Sequence, residues 1–135
     1  MRITSFILLL IFAISCNTTK KIASTKLNGL WIPVQQEMAG KPLPSTIYEK
    51  QTLIIHDTTY IFTAESIDKG VLKYSNGKMD IYGKEGVNAG KHFTAIYKME
   101  NEQLTICYNL KGDSYPAAFE TKSKPTLFMS TFRKG

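Results

Sequence analysis

From Leu30 onward the chain consists of short β-type segments set so close together that only hairpins can join them. Segments 51–56 and 59–63 are separated by Asp57-Thr58 alone. Segments 70–74 and 79–82 flank Ser75-Asn76-Gly77-Lys78, in which Asn-Gly is the strongest short hairpin signal. Segments 92–99 and 103–108 flank Glu100-Asn101-Glu102. A parallel pairing needs a crossover of about a dozen residues or more, and these spacings leave no room for one. The sheet is therefore expected to be antiparallel. With 30–38 at the start and 126–133 at the end, the count reaches about eight strands, all rich in β-branched and aromatic residues. Closing them into a barrel removes the exposed edges that an open meander presents.

Two local features refine this all-β picture. Pro33 inside the first strand cannot donate a ladder hydrogen bond, so it marks an edge position or a bulge. Residues 44–49 read as the one short helical turn, with Thr46 and Glu49 at capping-box spacing. Residues 83–91 form a glycine-rich loop and 109–125 a longer irregular one. No internal repeat or second domain is seen.

The first 26 residues have a different character. Arg2 precedes an unbroken apolar run over residues 6–14, less than half of the roughly 20 residues that a membrane-spanning helix needs. Residues 1–15 thus read as a secretory signal. Ala13-Ile14-Ser15-Cys16 then resembles the lipobox of bacterial lipoproteins. That resemblance implies that the Cys16 thiol takes a diacylglycerol and becomes the new N-terminus, with residues 16–26 as a polar tether and 27–135 as the folded domain. A flexible tether of this length has an r.m.s. reach of roughly 17 Å. The implied location is the bacterial cell envelope, lipid-anchored to a membrane. Lys20, Lys21 and Lys26 either add about 1 kcal/mol each of attraction to anionic headgroups or only keep the tether soluble.

The formal charge of the whole chain is +6; removing residues 1–15 takes away Arg2 and no acid, leaving +5. The lysines stand mostly singly beside turns rather than in a stripe, which argues against a nucleic-acid footprint. With Cys16 lipidated, Cys107 is alone in the run Leu104-Thr105-Ile106-Cys107-Tyr108, where a small core hydrophobe is the ordinary role.

Gly29-Leu30-Trp31 opens the first strand and holds the only tryptophan. It resembles the Gly-x-Trp signature of lipocalins, and Phe132-Arg133 matches the place where lipocalin-like proteins carry an arginine over that tryptophan. The resemblance implies a lipocalin-like β-barrel with Trp31 and Arg133 as a stacked pair at its closed end. A closer resemblance is to an uncharacterised bacterial lipocalin-like domain family first described from planctomycetes. It rests on Leu27-Asn28-Gly29-Leu30-Trp31, Gly40-Lys41-Pro42-Leu43-Pro44, Ala95-Ile96-Tyr97, Leu104-Thr105-Ile106-Cys107 and Leu127-Phe128-Met129 with Arg133. That family implies a fold and no established activity.

The sequence carries no recognisable catalytic motif, so no enzyme activity is expected and no cofactor or metal is implied. His56 and His92 each sit alone on a strand, without metal-ligand spacing. Residues 86–92 resemble a phosphate loop only superficially, with the wrong glycine spacing and His92 where a hydroxyl is required. What remains is a large aromatic content in the strands. These rings either fill a solid barrel or line a cavity for one small ligand. Two functional readings follow. In one the barrel binds a small hydrophobic molecule, with Phe62, Tyr97 and Phe132 as candidate lining residues. In the other a filled barrel serves as a structural or inhibitory scaffold that contacts an envelope protein through the 83–91 and 109–125 loops.

Overall fold

The computed structural model describes residues 27–135; the expected leader, the Cys16 lipid site and the tether lie outside the described residues. Eight antiparallel strands close on themselves. They are β1 (Gly29–Met38), β3 (Thr52–His56), β4 (Thr59–Thr63), β5 (Ile67–Ser75), β6 (Lys78–Glu85), β7 (His92–Glu100), β8 (Gln103–Asn109) and β9 (Leu127–Lys134). Each pairs with the next in sequence, and β9 returns to pair with β1. A ninth strand, β2 (Lys41–Pro42), folds back on the end of β1, where the sequence suggested only a turn. The expected helical turn is α1 (Ser45–Tyr48), but Pro44 takes its N-cap position and no side chain caps it. The Thr46–Glu49 capping box does not form, because the turn starts at Ser45, two residues too early for Thr46 to precede it.

Alternation of period two decides what faces inward. Leu53 and Ile55 of β3, Met79 and Ile81 of β6, and Leu104 and Ile106 of β8 are buried, while Ile54, Asp80 and Thr105 between them point outward. The hairpin turn at Asn76-Gly77 has both residues at positive φ, 51° and 78°, as a type I′ turn demands. Pro33 sits where expected: the β1–β9 register shifts between Pro33 and Gln35, so Val34 is the extra residue of a bulge.

The two barrel ends differ. At one end Trp31 is buried, its indole N–H donating to the Leu27 carbonyl at 2.8 Å. Tyr74 and Tyr97 pack beside it edge to face, centroids 5.8 Å apart, and the Tyr74 hydroxyl accepts from the Leu27 N–H at 3.2 Å. The other end carries α1 and the connections 64–66, 86–91 and 110–126. The last of these lies across the outside of β7 and β8. There Asn109 donates to the Ser114 carbonyl at 2.9 Å and Lys98 lies 4.5 Å over the Phe119 ring. That cover explains why Thr94, Cys107 and Asn109 are buried although they point away from the barrel interior. Burial pushes the Cys107 thiol pKa up, which makes it a poor nucleophile.

Candidate ligand cavity

Towards the end away from Trp31 the barrel is hollow. A cavity of about 160 Å³ lies among inward side chains of the strands. Phe62 of β4, Phe93 of β7, Tyr108 of β8, and Phe128 and Phe132 of β9 supply aromatic walls, with Leu53, Ile55, Leu72 and Ile106 between them. These residues are inward because antiparallel neighbours share a face: Phe62 pairs with Leu53, Ile81 with Phe93, and Tyr108 with Phe128.

Polar atoms enter this apolar lining at a few points. The bulge in β1 turns Gln36 inward, where its amide donates to the Gln51 side chain at 2.7 Å and reaches the Ser130 hydroxyl at 3.4 Å. Asp68 is buried near the start of β5 and accepts the Asn88 backbone N–H at 3.1 Å, tying the 86–91 loop to the mouth. Tyr60 fits only because β5 carries no side chain at Gly70. A Cβ there would stand 2.6 Å from the Tyr60 ring and 2.1 Å from the Tyr82 carbonyl oxygen. Burial, and then the charge of Asp68, raises the Tyr60 pKa. Burial also pushes Tyr108 well above the usual phenol range. Both hydroxyls therefore stay neutral and serve as hydrogen-bonding groups.

The structure separates the residues singled out from the sequence. Phe62 and Phe132 line the cavity. Tyr97 points inward too, but it lies at the closed end against Tyr74, and its N–H bonds the Gly77 carbonyl at 2.9 Å; it is not a lining residue. The cation over Trp31 is also not the expected one. Lys134 places its ammonium 4.8 Å from the Trp31 ring centroid, whereas Arg133 is exposed and bonds the Lys134 carbonyl. Ser130, Phe132 and Lys134 share the inward parity of β9, and Arg133 falls on the outward one. Tyr60 and Tyr108 belong to the strand aromatics that the sequence leaves open between core and cavity, whereas Asp68 and Asn88 escaped sequence reasoning as site residues. The one signal for Asp68 was its parity with Gly70 and Leu72.

No family model, curated protein or solved structure matches the chain. The cavity's chemistry is therefore read from its own residues.

A second polar cluster lies outside the barrel. Asp80 accepts from Tyr115 at 2.6 Å and pairs with His92 at 2.8 Å, and the His92 ring stacks on Tyr82 at 4.6 Å. Lys73 and Lys78 approach the Tyr82 and Tyr115 rings. The adjoining depression is larger than the interior cavity but open to solvent. The Asp80 carboxylate is already engaged by Tyr115 and His92, so the cluster clasps the 110–126 segment to β6 and β7. His56, by contrast, is exposed beside Asp57.

Proposed function

We propose that this protein is a lipid-anchored lipoprotein of the bacterial cell envelope whose lipocalin-like barrel binds a small hydrophobic molecule. The carrying observation is the hollow interior. Its lining joins aromatic and branched side chains to a few polar tips at Gln36, Tyr60, Asp68, Asn88 and Tyr108, the usual composition of a small-ligand site. At about 160 Å³ it matches the scale of the apolar cavities of about 150 Å³ that take up benzene. A single-ring molecule fits; a lipid does not.

The anchor rests on the apolar run over residues 6–14 and on Ala13-Ile14-Ser15-Cys16. Leu27 lies at the closed end beside Trp31, opposite the cavity mouth. The test is native mass spectrometry of the purified protein for co-purifying small molecules, with calorimetric titration of single-ring apolar compounds. Saturable one-to-one binding, lost when Ile106→Phe fills the cavity, supports the proposal. Absence of saturable binding in the folded protein refutes it.

A second reading, contact with a protein partner, draws on the exposed apolar side chains Ile47, Ile67, Val87 and Leu110. All four belong to the open end, on α1, the start of β5, the 86–91 loop and the start of the 110–126 connection. Contact there would cover the cavity mouth, so an envelope protein docking at this rim would control entry to it.

A further inference from the structure

The cavity contains one acidic group and no basic one. Asp68 is the only carboxylate among its lining residues, and no lysine, arginine or histidine joins it. The chain holds 17 basic residues against 11 acidic ones, yet no basic side chain among the described residues pairs with this buried acid. Among the described residues, the only hydrogen bonds to its carboxylate are the Asn88 N–H to Oδ1 at 3.1 Å and the Ser66 hydroxyl to Oδ2 at 3.5 Å. The second is at the outer limit for such a bond. Holding the 86–91 loop requires only the first, and an asparagine oxygen would accept it as well. A carboxylate kept 3% exposed in an apolar cavity is costly unless a positive partner arrives.

The walls favour the same partner. Six aromatic rings line the space, those of Tyr60, Phe62, Phe93, Tyr108, Phe128 and Phe132. Ring faces attract cations electrostatically, most strongly where water is excluded. A carboxylate ligand would meet the charge of Asp68, and a purely apolar one would bury that charge without a partner. We infer that the cavity takes a small organic cation, a primary amine on a single apolar ring or short branched chain, whose ammonium pairs with Asp68. This rests on the interior-cavity reading above and narrows its ligand to one charge class.

The test compares four ligands of nearly equal size: benzylamine, benzyl alcohol, toluene and benzoate. Each is titrated calorimetrically at neutral pH into the full chain in zwitterionic nanodiscs, with empty nanodiscs subtracted. Benzylamine should bind at least tenfold more tightly than toluene and benzoate. Asp68→Asn should bring the benzylamine-to-toluene ratio close to one, and the cavity-filling Ile106→Phe should abolish benzylamine binding. The comparison of ligands on the unmodified protein holds whether or not either variant folds. If toluene binds as tightly as benzylamine, or if Asp68→Asn keeps the ratio, the cation assignment is overturned while an apolar ligand site stands. If none of the four binds the folded protein, both the cation assignment and the cavity reading are overturned.

Discussion

Lys134 and Trp31 lock the first and last strands together. The Lys134 ammonium stands 4.8 Å from the indole centroid and donates to the Asn28 carbonyl at 2.7 Å. Gly29 makes this approach possible, since a Cβ there would come within 2.5 Å of the Lys134 nitrogen. Leu27, Asn28 and Trp31 on one side, and the end of β9 on the other, thus form one closure.

Trp31→Ala should cost about 3–5 kcal/mol, as for other buried large-to-small changes. Lys134→Ala should couple to it by about 0.5–1 kcal/mol, the scale of an exposed cation–π contact. Arg133→Ala, on the outward face, should add to Trp31→Ala without coupling. Denaturant melts of the single and double variants give all these values. Coupling of Trp31 to Arg133 and not to Lys134 would contradict the observed parity of β9.

Gly70→Ala tests how Tyr60 reaches the cavity. The added methyl meets both the Tyr60 ring and the Tyr82 carbonyl, so overpacking should destabilise the barrel by about 1–3 kcal/mol. The same change in Tyr60→Leu should cost less, since one of the two clashes is then relieved. Equal losses in both backgrounds would mean that the ring does not lie against Gly70.

Acid stability should depend on Asp80. The Tyr115 hydroxyl first, and then the His92 side chain, hold the Asp80 carboxyl below its ordinary range. A pKa lower in the folded state than in the unfolded chain means that the unfolded chain binds the extra proton. The resulting stability is present above the unfolded value of about 3.9 and is lost as pH falls through the lower folded value. Asp80→Asn should therefore flatten the fall in stability below about pH 4, and Tyr115→Phe should flatten part of it. Chemical melts from pH 2 to 6 (roughly the span around that value) provide the measurement. An unchanged acid limb in Asp80→Asn would show that the clasp does not contribute.

Much of the barrel was legible because its hairpin turns are short. Asp57-Thr58, Asn76-Gly77 and Asn101-Glu102 connect strands that can only be antiparallel neighbours. The start of β5 was less legible, since Ile67-Asp68-Lys69-Gly70 has turn chemistry yet pairs with β4 along its length. Tertiary pairing overrode local preference there, and it hid the acid that lines the cavity. An inward Phe132 forces Arg133 outward and brings Lys134 inward, so both Phe132 and Arg133 could not serve the interior. Parity fixes the face of a residue but not its height along the barrel. Tyr97 shares the inward face with Phe93 but lies about 13 Å further along β7 (four residues at roughly 3.3 Å each), at the closed end.

The proposed lipid anchor makes a separate prediction. Cys16→Ala should leave an unprocessed precursor and abolish incorporation of a labelled fatty acid, because Cys107, the other cysteine, is buried in the barrel wall. Label persisting on the variant would contradict lipidation at Cys16.

The interior site itself is tested most directly by a methyl NMR titration with single-ring ligands, benzylamine and toluene. Saturable shifts should appear together on Leu53, Ile55, Leu72 and Ile106, which line the cavity, while Ile54, on the outer face, should stay unmoved. A barrel whose interior methyls do not respond, or whose outer ones respond instead, would contradict a ligand-binding cavity.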